Sequence, residues 1–373
     1  MTKVSIFGTL RKKASGYHIH GREFSRAIQE KYNGEIEFID FFRSSPDSIV
    51  ERLSSADYTK DDIALLVCHP SVLSYFQSCD AYKICYAIWE STVIPDNWSD
   101  FLAIADEIWT PTQWGRQILI QNAIAPEKII VIPEGVNGAV FKPEGNGVPF
   151  LESINDYKFL HVGKAEPRKA TCELLMAFDQ AFTPDDNVKL IIACHNRNIP
   201  GFCSVKFIEN LTLRNRENVI PVQPLLEHRL LADLYRSCDA FIYPSRAEGW
   251  GLPALEAMAC GLPLAITRYS GQTAYVTDRN ALHIPYEIER LNAFDLPHFE
   301  REDGDYGEWA SPDINALADI MKYMFANKRL LKEKALSESE SIREKWDWRQ
   351  GAVIAVRRLN EIKSQLREAI GRI

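Results

Sequence analysis

The chain has 373 residues, 46% of them hydrophobic and 25% charged, which excludes a disordered or collagen-like protein and leaves room for two domains with their own cores. Its 43 basic and 51 acidic residues give a formal net charge of −8, which argues against nucleic acid as a partner, since phosphate backbones are bound by clustered positive charge. No apolar run reaches the length of a membrane span, and no signal-peptide pattern precedes the first strand. The expectation is a cytoplasmic protein, with peripheral contact at the inner face of a membrane left open. The eight cysteines form no C-x-x-C pair and read as small buried hydrophobes in a reducing compartment.

Short apolar runs alternate with helix-period stretches from the start. Strands are expected at Val4–Phe7, Ile36–Phe41, Ile63–Cys68, Ile84–Ile88, Glu107–Thr110 and Ile129–Ile132, with amphipathic segments such as Gly21–Lys31 and Asn97–Ala105 between them. The Pro- and Gly-rich run from Lys142 to Pro149 reads as a linker. A second series follows at Phe159–Val162, Lys189–Ala193, Val219–Val222, Ala240–Tyr243 and Leu264–Thr267. Glu300–Asp305 is acidic and irregular and reads as a surface loop of the second domain, and the chain is helical from Ile314 onward. The expected fold class is α/β, with two doubly wound, Rossmann-like parallel-sheet domains facing a central cleft. The boundaries are 1–148, joined by a C-terminal helix over 349–373, and 149–348.

The run from Tyr243 to Gly261 carries the most chemistry. A buried strand ends at Tyr243, Gly249 and Gly251 shape a tight loop, and a helix opens near Pro253 and stops at Gly261. Free amides at Leu252, Ala254 and Leu255 would suit a phosphate, and Glu248 and Glu256 beside them would accept hydrogen bonds from sugar or ribose hydroxyls. A capped helix with two solvated glutamates accounts for the same Pro and Gly. In His161–Ala170, a strand ends in Gly163, and Lys164, Arg168 and Lys169 follow within six residues. That suits a diphosphate, or a solvated basic loop. Gly8–Tyr17 joins the first strand to the first helix, with Arg11, Lys12 and Lys13 open to an anionic acceptor or to solvent.

The E-G-x-G-L-P-x-L-E-A-M-A-x-G run resembles the E-x7-E signature of retaining GT-B glycosyltransferases, glycosyltransferase family 4. The resemblance covers most of the chain and is strongest from Phe159 to Thr267. It implies that Glu248 contacts the donor sugar and Glu256 the ribose. It also implies that Lys164 and Lys169 meet the donor diphosphate with Arg168 adjacent, and that Gly16 offers its amide to the distal phosphate from the other domain. The Trp89-Glu90-Ser91 step stands where many members of that family carry a His. Glu90 would position or deprotonate the acceptor hydroxyl, or cap the next helix. His69 is a weaker candidate of the same kind, read first as a core or capping histidine. Trp346-Asp347-Trp348 resembles the marker before a last helix that crosses back to the first domain.

The expected activity is transfer of a sugar, with retention, from a UDP- or GDP-sugar to a glycan or lipid-linked acceptor. The departing diphosphate would help take the acceptor proton. The base would be met by backbone and packing around Pro221–Leu226. Neither a cofactor nor a metal is implied, and Asp303-Gly304-Asp305 reads as surface acid. The alternatives are a phosphorylase or sugar-nucleotide hydrolase on the same fold, or a non-catalytic protein that binds a nucleotide sugar. P-loop, G-x-S-x-G and H-E-x-x-H patterns are absent.

Overall fold

The computed structural model describes residues 3–8, 16–40, 58–196, 199, 201–222, 228–296 and 299–370. In chain order the first described elements are β1 (Val4–Gly8), α1 (Gly16–Lys31), β2 (Ile36–Asp40), β3 (Ile63–Val67), β4 (Tyr82–Tyr86), α2 (Trp98–Ile104), β5 (Glu107–Thr110), α3 (Gln113–Gln121) and β6 (Ile129–Val131). Next come α4 (Pro149–Glu152), β7 (Tyr157–Lys164), α5 (Thr171–Ala181), β8 (Val188–His195), α6 (Ser204–Glu209), β9 (Val219–Pro221), α7 (His228–Arg236), β10 (Ala240–Tyr243), α8 (Leu252–Ala259) and β11 (Leu264–Thr267). The last are β12 (Leu282–Ile284), β13 (Tyr286–Arg290), β14 (Glu308–Pro312), α9 (Ile314–Ala326), α10 (Lys328–Lys345) and α11 (Trp348–Ile370).

The chain forms two compact units: Met1–Gly135 with Pro297–Tyr306 and Trp346–Ile373, and Val136–Leu296 with Gly307–Lys345. In the first, the strands lie in the order β2-β1-β3-β4-β5-β6, every pair parallel. β1 and β3 are buried along their whole length, which is why Val4-Ser5-Ile6-Phe7 and Ile63-Ala64-Leu65-Leu66-Val67 are nearly continuous apolar runs. α1 buries Ile19, His20, Phe24, Ala27 and Ile28, one helical face. α11 packs on α1, and its Arg358 guanidinium donates to the buried Glu107 carboxylate at 2.7 and 2.9 Å.

The second unit repeats the design in the order β12-β11-β10-β7-β8-β9, again parallel. Its core is Phe159, Leu174, Phe178, Leu190, Ile192, Ile242, Leu317 and Met321, from β7, β8, β10, α5 and α9. β7 meets β8 on one side and β10 on the other, so the strand order reverses beside the carboxyl ends of β7 and β10. Open parallel sheets bind ligands at such a reversal.

Two features of chain course depart from the sequence reading. Residues 136–148 pack within the second unit rather than bridging freely. Arg236 donates to the Asn146 carbonyl at 2.7 Å, and the Val148 amide donates to Ser237 Oγ at 2.6 Å. Residues 297–306, read as a loop of the second domain, belong to the first unit, because Arg301 pairs with Asp96 there at 2.7 Å. The antiparallel pair β13–β14 flanks that segment and was not anticipated.

Candidate active site

β7 ends in Gly163 and Lys164. A 3₁₀ turn over Pro167–Lys169 follows, and Ala170 at φ 50° turns the chain into α5. That left-handed step comes directly after Lys169, whose side chain is buried. β10 ends at Tyr243, and the loop to α8 passes through Ser245, Glu248 and Gly251, the last at φ 93°. A Cβ at Gly271 would lie 2.0 Å from the Gly249 carbonyl, so only glycine fits beneath this loop, where its amide donates to the Glu248 carbonyl at 2.8 Å. Ser270, at φ 60°, accepts the Glu248 amide on its Oγ at 2.8 Å. α8 closes with Gly261 at φ 69°, the Gly261 amide donating to Met258 and the Leu262 amide to Ala257, a Schellman end.

These two strand ends bring the expected residues together across a long stretch of sequence. The Glu248 side chain is buried. Its Oε1 accepts from Lys169 Nζ at 2.5 Å, Ser245 Oγ at 2.5 Å and Tyr243 Oη at 2.8 Å, and its Oε2 lies 3.0 Å from Arg168 Nη1. Lys169 also donates to Tyr243 Oη at 3.0 Å. Arg168 is held by the Ala247 carbonyl at 2.7 Å and by Glu166 at 2.8 Å. Burial alone would raise the Glu248 carboxyl, but the Lys169 and Arg168 cations outweigh it and hold the group at about 2. Burial and the neighbouring Arg168 push the Lys169 ammonium below its usual value against the pull of Glu248. Burial holds His161 at about 4, so its ring is neutral at physiological pH. That ring ties β7 to the Ile242 carbonyl on β10 at 3.0 Å and to Thr171 Oγ1 at 3.2 Å.

The remaining expected residues fall in several places. Gly163 lies beside Lys169, a Cβ there reaching Lys169 Cγ at 3.4 Å. The Lys164 side chain is 43% exposed and pairs loosely with Glu166 at 3.8 Å, apart from the buried cluster. Glu256 is buried on α8 with its Oε2 3.0 Å from Tyr235 Oη, so the picture of two solvated glutamates does not hold. The Ala254 and Leu255 amides, expected to be free, turn back on the Gly251 carbonyl at 3.1 and 3.4 Å, because α8 closes its first turn there. Among the described residues only the Leu252 amide of those three makes no such bond. Gly16 opens α1 in the first unit with nothing within 4 Å of a Cβ built on it, while Arg11, Lys12, Lys13 and most of Pro221–Leu226 lie outside the described residues.

Glu90 follows β4 and is half-buried. No helix follows until Trp98, whose N-cap is Asn97, so Glu90 does not cap one. His69 does cap: its Nδ1 accepts the Ser71 amide at 3.3 Å. Asp303 and Asp305 are exposed in a turn held by Arg301, and among the described residues no group of three or more His, Cys, Asp or Glu is placed to hold a metal ion. Nothing in the sequence pattern singles out Tyr243, Ser245, Ser270 and Tyr235, the hydroxyls on the two glutamates. Their only signal was proximity to the E-x7-E run.

Residues 149–293 match the family described as Glycosyl transferases group 1. A D-inositol 3-phosphate glycosyltransferase of Streptosporangium roseum is 30% identical over 176 residues, 45% of this chain and 40% of that protein. A second enzyme of that name, from Catenulispora acidiphila, is 28% identical over 57% of this chain and 54% of its own length. The chain thus spans about half or less of the length of these curated relatives. Among solved structures, the sucrose-phosphate synthase of Thermosynechococcus elongatus superposes with a TM-score of 0.69 over 99% of this chain and all of the other, at 16% identity. Anabaena HepE in complex with UDP-glucose superposes at 0.68 over the full length of both, at 14% identity. The two parallel six-stranded sheets are those of the GT-B glycosyltransferase fold, and the segment that carries the Lys169–Glu248 cluster is the one that matches the glycosyl transferases group 1 family.

Proposed function

We propose that this protein is a retaining, metal-independent glycosyltransferase that moves a sugar from a nucleoside diphosphate sugar, UDP- or GDP-linked, to a glycan or lipid-linked acceptor. The observation that carries the reading is the buried cluster of Lys169, Arg168 and Glu248 at the strand reversal of the second unit, inside the segment that matches the family. A donor diphosphate would draw Lys169 and Arg168 away from Glu248, and the freed carboxylate would accept hydroxyls of the sugar. Glu256 would take the ribose. As the bond from the sugar C1 to the diphosphate oxygen breaks, charge grows on the diphosphate, and the two cations neutralise it in a dry setting without a metal ion. The acceptor oxygen bonds to C1 from the same face, and its proton passes to the released diphosphate, which gives retention. The HepE complex, solved with UDP-glucose, favours a uridine donor as the first to try. We place the protein in the cytoplasm, where nucleotide sugars are made. No described helix is long and apolar enough to cross a membrane.

The test is a panel of nucleotide sugars scored for thermal stabilisation and slow donor hydrolysis in EDTA, since a ligand that binds only the folded protein raises its melting temperature. Stabilisation by one donor with release of its diphosphate supports the reading, and the anomer of the released or transferred sugar reports retention. No binding of any nucleotide sugar would end it.

A further inference from the structure

The residues that follow β3 and β4 in the first unit meet the inserted segment 299–306. The strand order of this sheet reverses between β1 and β3, so the carboxyl end of β3 lies where parallel sheets take ligands. His69 follows β3 and is exposed. Its Nδ1 is engaged by the Ser71 amide at 3.3 Å and by Ser71 Oγ at 2.8 Å, which leaves Nε2 as the ring nitrogen for a ligand hydroxyl. Trp89 and Trp98 are buried and form the floor, with ring centroids 4.9 Å apart. Phe299 stands edge-on to Trp89 at 4.7 Å and nearly parallel to His69 at 6.4 Å, itself only half-buried. The aromatic cluster is therefore open on the side of His69 and Phe299.

The segment is fastened by specific bonds. Arg301 donates to the Ile94 carbonyl at 2.9 Å and pairs with Asp96 at 2.7 Å. The Glu302 amide donates to Asp96 Oδ2 at 2.7 Å, and Ser91 Oγ donates to the Tyr306 carbonyl at 2.6 Å. Its exposed groups include Glu300, Glu302, Asp303 and Asp305.

We propose that Phe299, His69 and the Arg301-anchored segment form a subsite for an uncharged sugar ring, the acceptor. A pyranose offers a flat C–H face to an aromatic ring and a rim of hydroxyls to an imidazole nitrogen and to carboxylates. The surplus of carboxylates on the segment disfavours a phosphate-bearing ligand and suits a neutral, hydroxyl-rich one. Arg301 is a positioning residue, which acts by holding Phe299 on Trp89. The role as acceptor subsite rests on the glycosyltransferase reading, whereas sugar binding at this place does not.

The experiment is ligand-observed NMR titration of the full chain, without donor, with methyl and octyl glucosides, galactosides and mannosides. Wild type is expected to bind at least one of these glycosides. His69→Ala and Phe299→Leu are each expected to weaken binding at least fivefold, with UDP and GDP affinity unchanged. Phe299→Leu keeps the apolar bulk and removes the flat face, so a purely structural Phe299 would leave binding intact. Arg301→Lys, which keeps the charge but loses the forked contacts, should fall between. No glycoside binding by wild type, or binding that Phe299→Leu and His69→Ala leave within twofold, overturns the proposal. Failure of the donor panel would overturn the proposed transfer reaction and leave this titration to be read independently.

Discussion

Glu248→Gln tests whether the buried charge cluster is a net asset to the folded chain. In the wild type the carboxyl ordinarily at 4.5 is held at about 2, which corresponds to roughly 3 kcal/mol of stability. The depressed value fixes the sign: the contribution is complete above about pH 5 and is lost as pH falls from about 4.5 towards 2. Glutamine keeps the shape but not the charge. Its amide group must face either Arg168 or the trio of Lys169, Tyr243 and Ser245, all of which donate, and two buried cations lose their counter-charge. Urea denaturation at pH 7 should therefore show Glu248→Gln less stable by about 3 kcal/mol, with the gap between mutant and wild type shrinking as pH is lowered through 4 towards 3. Using the difference between the two proteins cancels the other carboxylates that titrate in that range. A mutant as stable as wild type at pH 7, or a gap that does not change between pH 7 and 3, would show that Lys169 and Arg168 do not hold this carboxylate as described.

Glu256→Ala should weaken nucleoside diphosphate binding by about 1–3 kcal/mol in calorimetric titration, the scale of hydrogen bonds to a charged group, and unchanged affinity would remove the ribose assignment. Lys169→Ala should abolish turnover in a way that added magnesium does not rescue, while the wild type keeps full activity in EDTA. Activity lost in EDTA and restored by manganese would contradict the cation-only site and direct attention to Asp303 and Asp305. Gly271→Ala forces a Cβ into the Gly249 carbonyl, so it should displace the Glu248 loop and cut donor binding. Wild-type donor affinity in that variant would mean the loop does not need its present shape.

The parallel strands were legible because strands buried on both faces must be apolar throughout, as in Ile63–Val67 and Phe241–Tyr243. β13 alternates Tyr286, Glu287, Ile288, Glu289 and Arg290 in strand fashion, but its partner begins at Glu308, beyond a segment that packs in the other unit. No local pattern encodes such a detour. The spacing of Glu248 and Glu256 was visible, and so was the basic run from Lys164 to Lys169. What the spacing could not tell was which charges face each other. Lys169 and Glu248 are 79 residues apart and meet only because β7 and β10 are neighbours in the sheet. For the same reason Lys164 and Lys169 read alike in the sequence, yet one is only half-buried beside Glu166 and the other is buried.

The left-handed backbone at Ala170 and Ser270 bears on any attempt to make this protein tolerate heat. A side chain in that conformation costs about 1–2 kcal/mol relative to the ordinary helical basin, and glycine would relieve it. Of the three such non-glycine residues described, two adjoin Glu248 or its partner Lys169, and the third, Ala123, is in the other unit. A selection scored on melting temperature alone would therefore be drawn to Ala170→Gly, while at Ser270→Gly the relief is offset by the buried Glu248 amide left without its acceptor. The first loosens the turn that presents Lys169, and the second deletes the hydroxyl that receives the Glu248 amide. Ala123→Gly offers a comparable gain away from the cluster, so a thermostability library for this chain should open position 123 and keep 170 and 270 closed.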